Sequence, residues 1–252
     1  EMSASLVGSE MCIRDSPMEY FADLHIHSCL SPCGDEDMTP ANICGMAKLK
    51  GLDAIAICDH NSARNLPAAQ ELCDAYGLLL LPGMEITTRE EVHLLGYFET
   101  VEAALAFGEM LRGHLPNKKN KPQFFGRQLV MNSDDEIIDE EEALLIGATD
   151  LPLAEAAAQV TAFGGVPVPA HINRGANGLL INLGLMPPEP FYSTVEVWRL
   201  LPCDEGALRG RHVLHSSDAH YLGDIQEREH ALRLREGTTS ALLAWMRSVK
   251  DI

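Results

Sequence analysis

No CxxC pair occurs among the seven cysteines (Cys12, Cys29, Cys33, Cys44, Cys58, Cys73, Cys203), and their odd number leaves at least one unpaired. A disulfide framework and a thiolate zinc cage both fit this badly, whereas reduced thiols in a cytosol fit it well. Basic residues are scarce, 19 against 37 acidic ones for a formal net charge of −18. That deficit argues against a broad grip on a phosphate backbone, so long nucleic acid is not an expected partner. A small anion is still compatible with it, provided a bound cation dominates the local field. No apolar run reaches membrane-spanning length and no signal-peptide core precedes the first strand. Internal repeats and long linkers are also missing. With 252 residues, 46% of them hydrophobic, a soluble cytoplasmic protein with one sizeable core is the expectation.

What is present divides at Met18. Leu6 to Ser16 reads like the translation of a sequencing-library adapter, so residues 1–17 are set aside as non-native and residues 18–252 are read as a single domain. After the short apolar run from Tyr20, Thr39-Pro40 opens a helix to about Lys50, with Gly51 past its end. Leu52 to Cys58 reads as a buried strand, Leu66 to Tyr76 as a helix stopped by Gly77, Leu78 to Leu81 as a strand ending at Pro82-Gly83-Met84-Glu85, Val92 to Phe98 as another strand, and Val101 to Leu111 as a helix. From 113 to about 142 the pattern loosens into an insertion with a hairpin near Leu129–Met131 and Glu136–Ile138, its acidic run Asp134 to Glu142 a solvated surface. A helix from about Asp150 to Phe163, strands at 166–170 and 194–198, a last strand end at 213–220, and a closing helix from about Thr238 to Val249 follow. Strand–helix alternation with polar strand ends predicts a parallel sheet with its site at the carboxyl ends.

Those strand ends carry residues that bind metals. Side chains alternate faces along a strand, so His25 and His27 point the same way and can grip one ion. Asp218 and His220 form a second such pair, joined by Asp59 and His60, Glu85, His93 and His171. A lone histidine after a strand is usually structural, but one such residue at nearly every strand end is hard to assign to chance. Mixed imidazole and carboxylate donors suit zinc, manganese or iron. Arg174, three residues past His171, and Arg127 in the insertion have guanidinium geometry suited to clamping phosphate, against the plainer reading of surface arginines. Asn61 and Asn173 either bond substrate or cap a loop. His114 and His230 read as surface residues, and His215, out of parity with Asp218, as a flanking one.

The ordered motifs DLHIHS, CDHNS, GMEITT, VHLLGY, PAHINR and SSDAH resemble those of the PHP, or polymerase-and-histidinol-phosphatase, superfamily of metal-dependent phosphoesterases. The resemblance implies a distorted seven-stranded (β/α) barrel of TIM-like type with two or three divalent ions at its carboxyl face. By that resemblance His25, His27, Glu85 and Asp218 would hold one ion, Glu85, His93 and His171 a second, and His60 with His220 a third. The loop after His27 departs from the family pattern. Where an Asp or His is common stand Pro32 and Cys33, leaving Cys33, Asp35 or Asp37 to complete the third site, or the site weak.

The implied activity is hydrolysis of a small phosphorylated metabolite or nucleotide by a hydroxide held between two ions. Asp59 would orient a ligand from behind, Asp218 could also take a proton, and His220 could serve the leaving oxygen if the third site is vacant. Two other classes stay open: a hydrolase of another bond, such as an amide, and a non-catalytic metal-binding regulatory module.

Overall fold

A computed structural model describes residues 17–250; apart from Pro17, the adapter-like segment lies outside the described residues. Strand β1 (Met18–Ile26) is buried from Ala22 onward. Helix α1 (Pro40–Leu49) starts where expected, with the Thr39 hydroxyl accepting from the Asn42 amide at 3.2 Å, a cap contributing about 1 kcal/mol. The four residues of β2 (Ala54–Ile57) are all buried and pair in parallel with β1. Helix α2 (Leu66–Tyr76) ends at Gly77, which takes the left-handed conformation that stops a helix at little steric cost. Strand β3 (Leu79–Leu80) adds in parallel to β2.

The parallel rhythm then breaks. Pro82 separates β3 from a distinct strand β4 (Gly83–Thr87), which pairs antiparallel with β5 (His93–Tyr97). Glu85 is therefore in mid-strand, not at a strand end. After α3 (Val101–Arg112) come the one-turn helix α4 (Pro122–Phe125) and the hairpin β6 (Leu129–Met131) and β7 (Ile137–Glu140). Helix α5 (Leu153–Ala162) leads to β8 (Val166–Pro169), also antiparallel to β5. Helix α6 (Leu179–Leu183), β9 (Thr194–Glu196), α7 (Glu205–Leu208) and β10 (His212–Leu214) follow, β9 and β10 pairing in parallel. Strand β11 (Ala231–Leu234) returns antiparallel to the exposed start of β1, and α8 (Thr239–Arg247) closes the chain.

Pairing among the described residues runs in four sheets, β11-β1-β2-β3, β4-β5-β8, β9-β10 and β6-β7. Backbone hydrogen bonds join the first three: Asn61 N–H to Glu85 O at 2.8 Å with Glu85 N–H to Asp59 O at 3.1 Å, Ile172 N–H to Glu196 O at 2.9 Å, and His27 N–H to Ala219 O at 2.9 Å. One apolar cluster packs α1, α2, α3 and α5 against the strands, with Ile57, Met84, Phe98 and Phe107 among its members. A second, around Leu24, Tyr97, Val168 and Leu214, is covered by Leu243 and Met246 of α8.

The stretch expected as an insertion docks on the loop after β1. Leu129 N–H donates to Cys29 O at 2.9 Å, and Val130 and Leu145 pack on Leu30. The acidic run is not uniformly solvated. Glu141 is buried, and its carboxylate accepts from Arg112 at 2.6 and 2.8 Å and from Arg64 at 3.2 Å. Burial alone would raise its pKa, but the Arg112 hydrogen bond and charge lower it below the ordinary value.

Candidate metal centre

Alternation along β1 puts His25 and His27 on one face, both fully buried. Their outer nitrogens are tied from behind. His25 Nδ1 lies 3.0 Å from Glu196 Oε2, and His27 Nδ1 lies 3.0 Å from Ser31 Oγ. The Ser31 hydroxyl already donates to Asp59 at 2.7 Å and accepts the His60 N–H at 3.1 Å, so toward His27 it can only accept. Both rings therefore carry Nδ1–H and, when neutral, turn unprotonated Nε2 atoms inward. These two atoms face each other at 3.2 Å, with Asp218 Oδ1 3.1 Å from His27 and 3.5 Å from His25. Lone pairs converging so closely repel unless positive charge sits among them.

Glu85 is the hub. Its Oε1 lies 2.8 Å from His93 Nδ1, 3.2 Å from His171 Nε2 and 3.4 Å from His25 Nε2, while Oε2 lies 3.2 Å from His60 Nδ1 and 3.3 Å from His27 Nε2. Burial would raise its pKa, yet the charges of His93 and His25 hold it well below the usual carboxylate range. Burial likewise disfavours a charged His27, but hydrogen bonds to Asp218 and Glu85 hold it up at about 9. Both directions express one demand, for positive charge at this spot. The buried Nδ1 atoms of His60 and His171 have no hydrogen-bond partner among the described residues.

Three groups of side chains bring donor atoms within 4.8 Å of one another: His25, His27 and Asp218; His60, Glu85 and His93; and His27, His60 and His220. Imidazole and carboxylate donors, facing lone pairs and orphaned nitrogens fit divalent ions of the zinc, manganese and iron type. Backbone strain marks the same place. Asn61, His171 and Asp218 adopt φ of 50°, 28° and 51°, a region disfavoured for side-chain-bearing residues and found where surrounding structure enforces it.

His93 begins β5 and still reaches the cluster, because antiparallel pairing sets it opposite Thr87 at the end of β4. Cys33 and Asp35 belong to none of the three groups. The Asp35 carboxylate instead accepts the Asp37 N–H at 2.9 Å, and burial, with Glu85 and Asp218 nearby, pushes the Cys33 thiol up to about 12. Asp59 accepts from the Ser28 N–H and hydroxyl at 2.7 and 2.6 Å as well as from Ser31, an arrangement that acts on His27 through Ser31. Asn61 has no amide hydrogen left for a substrate: it donates to Leu145 O and Gly147 O at 2.7 and 3.0 Å and accepts the Thr87 N–H. Asn173 caps the loop after β9 in the same manner. Arg174 bonds Asp218 Oδ2 and lies over the Trp198 ring, 5.0 Å from its centroid. Arg127 pairs with Glu140 of the hairpin at 2.9 Å, not with any member of the cluster. The His215 ring turns away, to 5.0 Å from that of His230.

Two buried carboxylates escaped the sequence reading. Glu196 holds His25 and also accepts the His171 N–H at 2.9 Å. Asp23 accepts the Ser217 and Gln226 N–H groups at 3.0 and 2.9 Å, tying β1 to the Asp218 loop. A Glu within the apolar run Thr194 to Trp198 was the available signal, since a charge inside a buried strand needs a partner.

The PHP domain family model matches residues 23–157. An uncharacterized protein of Methanocaldococcus jannaschii is 36% identical over 85 residues, 31% of this chain and 49% of that protein. A 5'-3' exoribonuclease of Haemophilus influenzae is 31% identical over 77 residues, 29% of this chain and 27% of that protein. The matched stretches thus span half or less of these relatives. Among solved structures, the lesion-specific endonuclease PfuEndoQ from Pyrococcus furiosus superposes with a TM-score of 0.69 at 19% identity, over 91% of this chain and 56% of that one, a likeness of fold.

Proposed function

Because this chain belongs to the PHP domain family, we propose that it is a metal-dependent hydrolase of phosphoric esters acting on a small phosphorylated metabolite or nucleotide. The observation that carries the reading is the pair of inward Nε2 atoms of His25 and His27, 3.2 Å apart beside Asp218 and Glu85. His25, His27 and Asp218 would hold one divalent ion and His60, Glu85 and His93 a second, with His171 beside Glu85 and His220 completing a third group. Bound there, such ions lower the pKa of water and neutralise phosphoryl oxygens.

The chain's own groups do the remaining work. Glu196 and Ser31 fix the tautomers of His25 and His27, so the inward nitrogens keep their lone pairs. Arg174, held between Asp218 and Trp198 and partly exposed, can transfer its guanidinium to a phosphoryl oxygen. Asp218 is a poor proton acceptor: burial would raise its pKa, but His25 and His27 drive it far below the carboxylate range. His220 donates Nδ1–H to the Asp218 carbonyl at 2.8 Å, so its Nε2 would complete the third group or, with no ion there, carry a proton between water and the leaving oxygen. With this goes the reading of the fold as a distorted seven-stranded barrel, in the order β1, β2, β4, β5, β8, β9, β10; the hydrogen bonds between the three sheets support it.

The test loads the protein with Mn²⁺ or Zn²⁺ and measures phosphate release across a panel of phosphomonoesters and nucleotides. Release is expected with metal, and should vanish in His25→Ala and Asp218→Ala. A metal-loaded protein inert across the panel would overturn the proposal.

A further inference from the structure

Residues 118–127 hold Lys118, Lys119, Lys121 and Arg127 and no acidic residue, so about a fifth of the chain's 19 basic side chains crowd into ten positions of a protein with net charge −18. Lys119 and Arg127 engage Glu142 and Glu140 in exposed pairs, which a phosphate can displace. Lys118 and Lys121 are exposed and form no ion pair among the described residues. Within this segment α4 buries nothing, and its two aromatics face solvent, Phe124 at 77% and Phe125 at 43% exposure.

The segment adjoins the metal centre. Gly126, immediately after Phe125, has φ of +95°, and an ideal Cβ there would collide with the Pro32 carbonyl oxygen. Pro32 follows Ser31, the residue that fixes His27. Asn120 locks the turn by donating to Gly126 O at 2.8 Å. Two stackable rings with cations on both sides therefore belong to a segment that packs on the Pro32 loop, whose Ser31 holds a ligand of the centre.

We infer that α4 and its basic flanks are a docking platform for a short single-stranded nucleic-acid end, bases stacking on Phe124 and Phe125 and phosphates meeting Lys118 and Lys121. Aromatic rings interleaved with cations suit a strand whose bases present flat faces and whose backbone is anionic. The inference rests on the phosphoester reading, since it supplies that centre with its substrate, and the net acidity elsewhere confines contact to a few nucleotides.

The experiment is fluorescence anisotropy of labelled, phosphorothioate-linked DNA and RNA hexamers with the full metal-loaded chain. Wild type should bind, and Phe124→Ala/Phe125→Ala should weaken binding by about tenfold or more. The Phe124→Tyr/Phe125→Tyr protein, which keeps the rings, should restore it. Replacing Lys118 and Lys121 by Ala should flatten the dependence of log affinity on log salt by roughly 0.7 per lysine. All four side chains are exposed, and equal melting temperatures would show the variants folded. No hexamer binding at ~50 mM salt, an alanine variant as tight as wild type, or binding to phosphatidylserine vesicles in place of hexamers would overturn the inference. Phosphate release across the phosphomonoester and nucleotide panel in the same preparation reads the hydrolase separately: release without hexamer binding sinks the platform alone, and hexamer binding without release from any panel member sinks the hydrolase alone.

Discussion

Replacing Glu196 by Gln tests whether the buried carboxylate behind His25 sets the metal centre. Its two oxygens lie 3.0 and 3.2 Å from His25 Nδ1, and Oε2 also accepts the His171 N–H. The carboxamide keeps the shape but has one accepting oxygen for two N–H donors. Its NH₂ then either abuts an N–H or draws the imidazole proton to Nε2, where it blocks the lone pair aimed at Asp218. Losing such an outer partner weakens metal binding by about 10–100-fold, or roughly 1.4–2.8 kcal/mol. Zn²⁺ titration against a chromophoric chelator measures this directly, with circular dichroism reporting the fold. An affinity within about twofold of wild type, from a folded protein, would show that His25 needs no help from Glu196 and would refute the tautomer argument.

Chelating the bound ions should lower the melting temperature by roughly 5–10 °C if they were held at about a hundred times their Kd; an unchanged melt would count against the metal centre. Glu141→Gln should destabilise the protein by about 1–2 kcal/mol at pH 7, the value discounted for the partial exposure of Arg64 and Arg112. The folded-state pKa of Glu141 is depressed, so its contribution is complete above the ordinary glutamate value of 4.5 and fades as pH falls through the lower folded value. Urea melts of wild type and variant should therefore converge as pH falls below 4.5, and a gap that stays constant with pH would contradict this. Gly126→Ala, which adds a Cβ at a positive φ against the Pro32 carbonyl, should loosen the docked segment by about 1–3 kcal/mol. Limited proteolysis would show faster cutting within 113–142, and unchanged kinetics would refute the close approach.

Much of the site could be read from local pattern. Strand parity placed His25 and His27 on one face, and terminal residues marked both ends of α1 and the end of α2, because such signals act within a few residues. What escaped depends on partners far along the chain. The antiparallel turn of β5, which brings His93 in by its amino end, leaves no local trace, since parallel and antiparallel strands share the same side-chain period. Strand β11 is short and half exposed, and is defined by its pairing with β1. Of the two roles open to Asn61, the loop cap holds and the substrate contact does not, because a backbone acceptor 84 residues away claims its amide. Glu196 lay hidden for the opposite reason: a single polar residue in an apolar strand shows that a partner exists without saying which.

The bonds from Glu196 to His25 and from Ser217 to Asp23 join positions 171 and 194 residues apart. During synthesis, at 5–20 residues per second, roughly 10–40 s separate the emergence of the first histidine pair from that of His220. For most of that interval His25 lacks Glu196, the carboxylate that orients it, and only a fragment of the donor set exists. A complete set of metal donors would thus assemble late, only after strands distant in sequence have met.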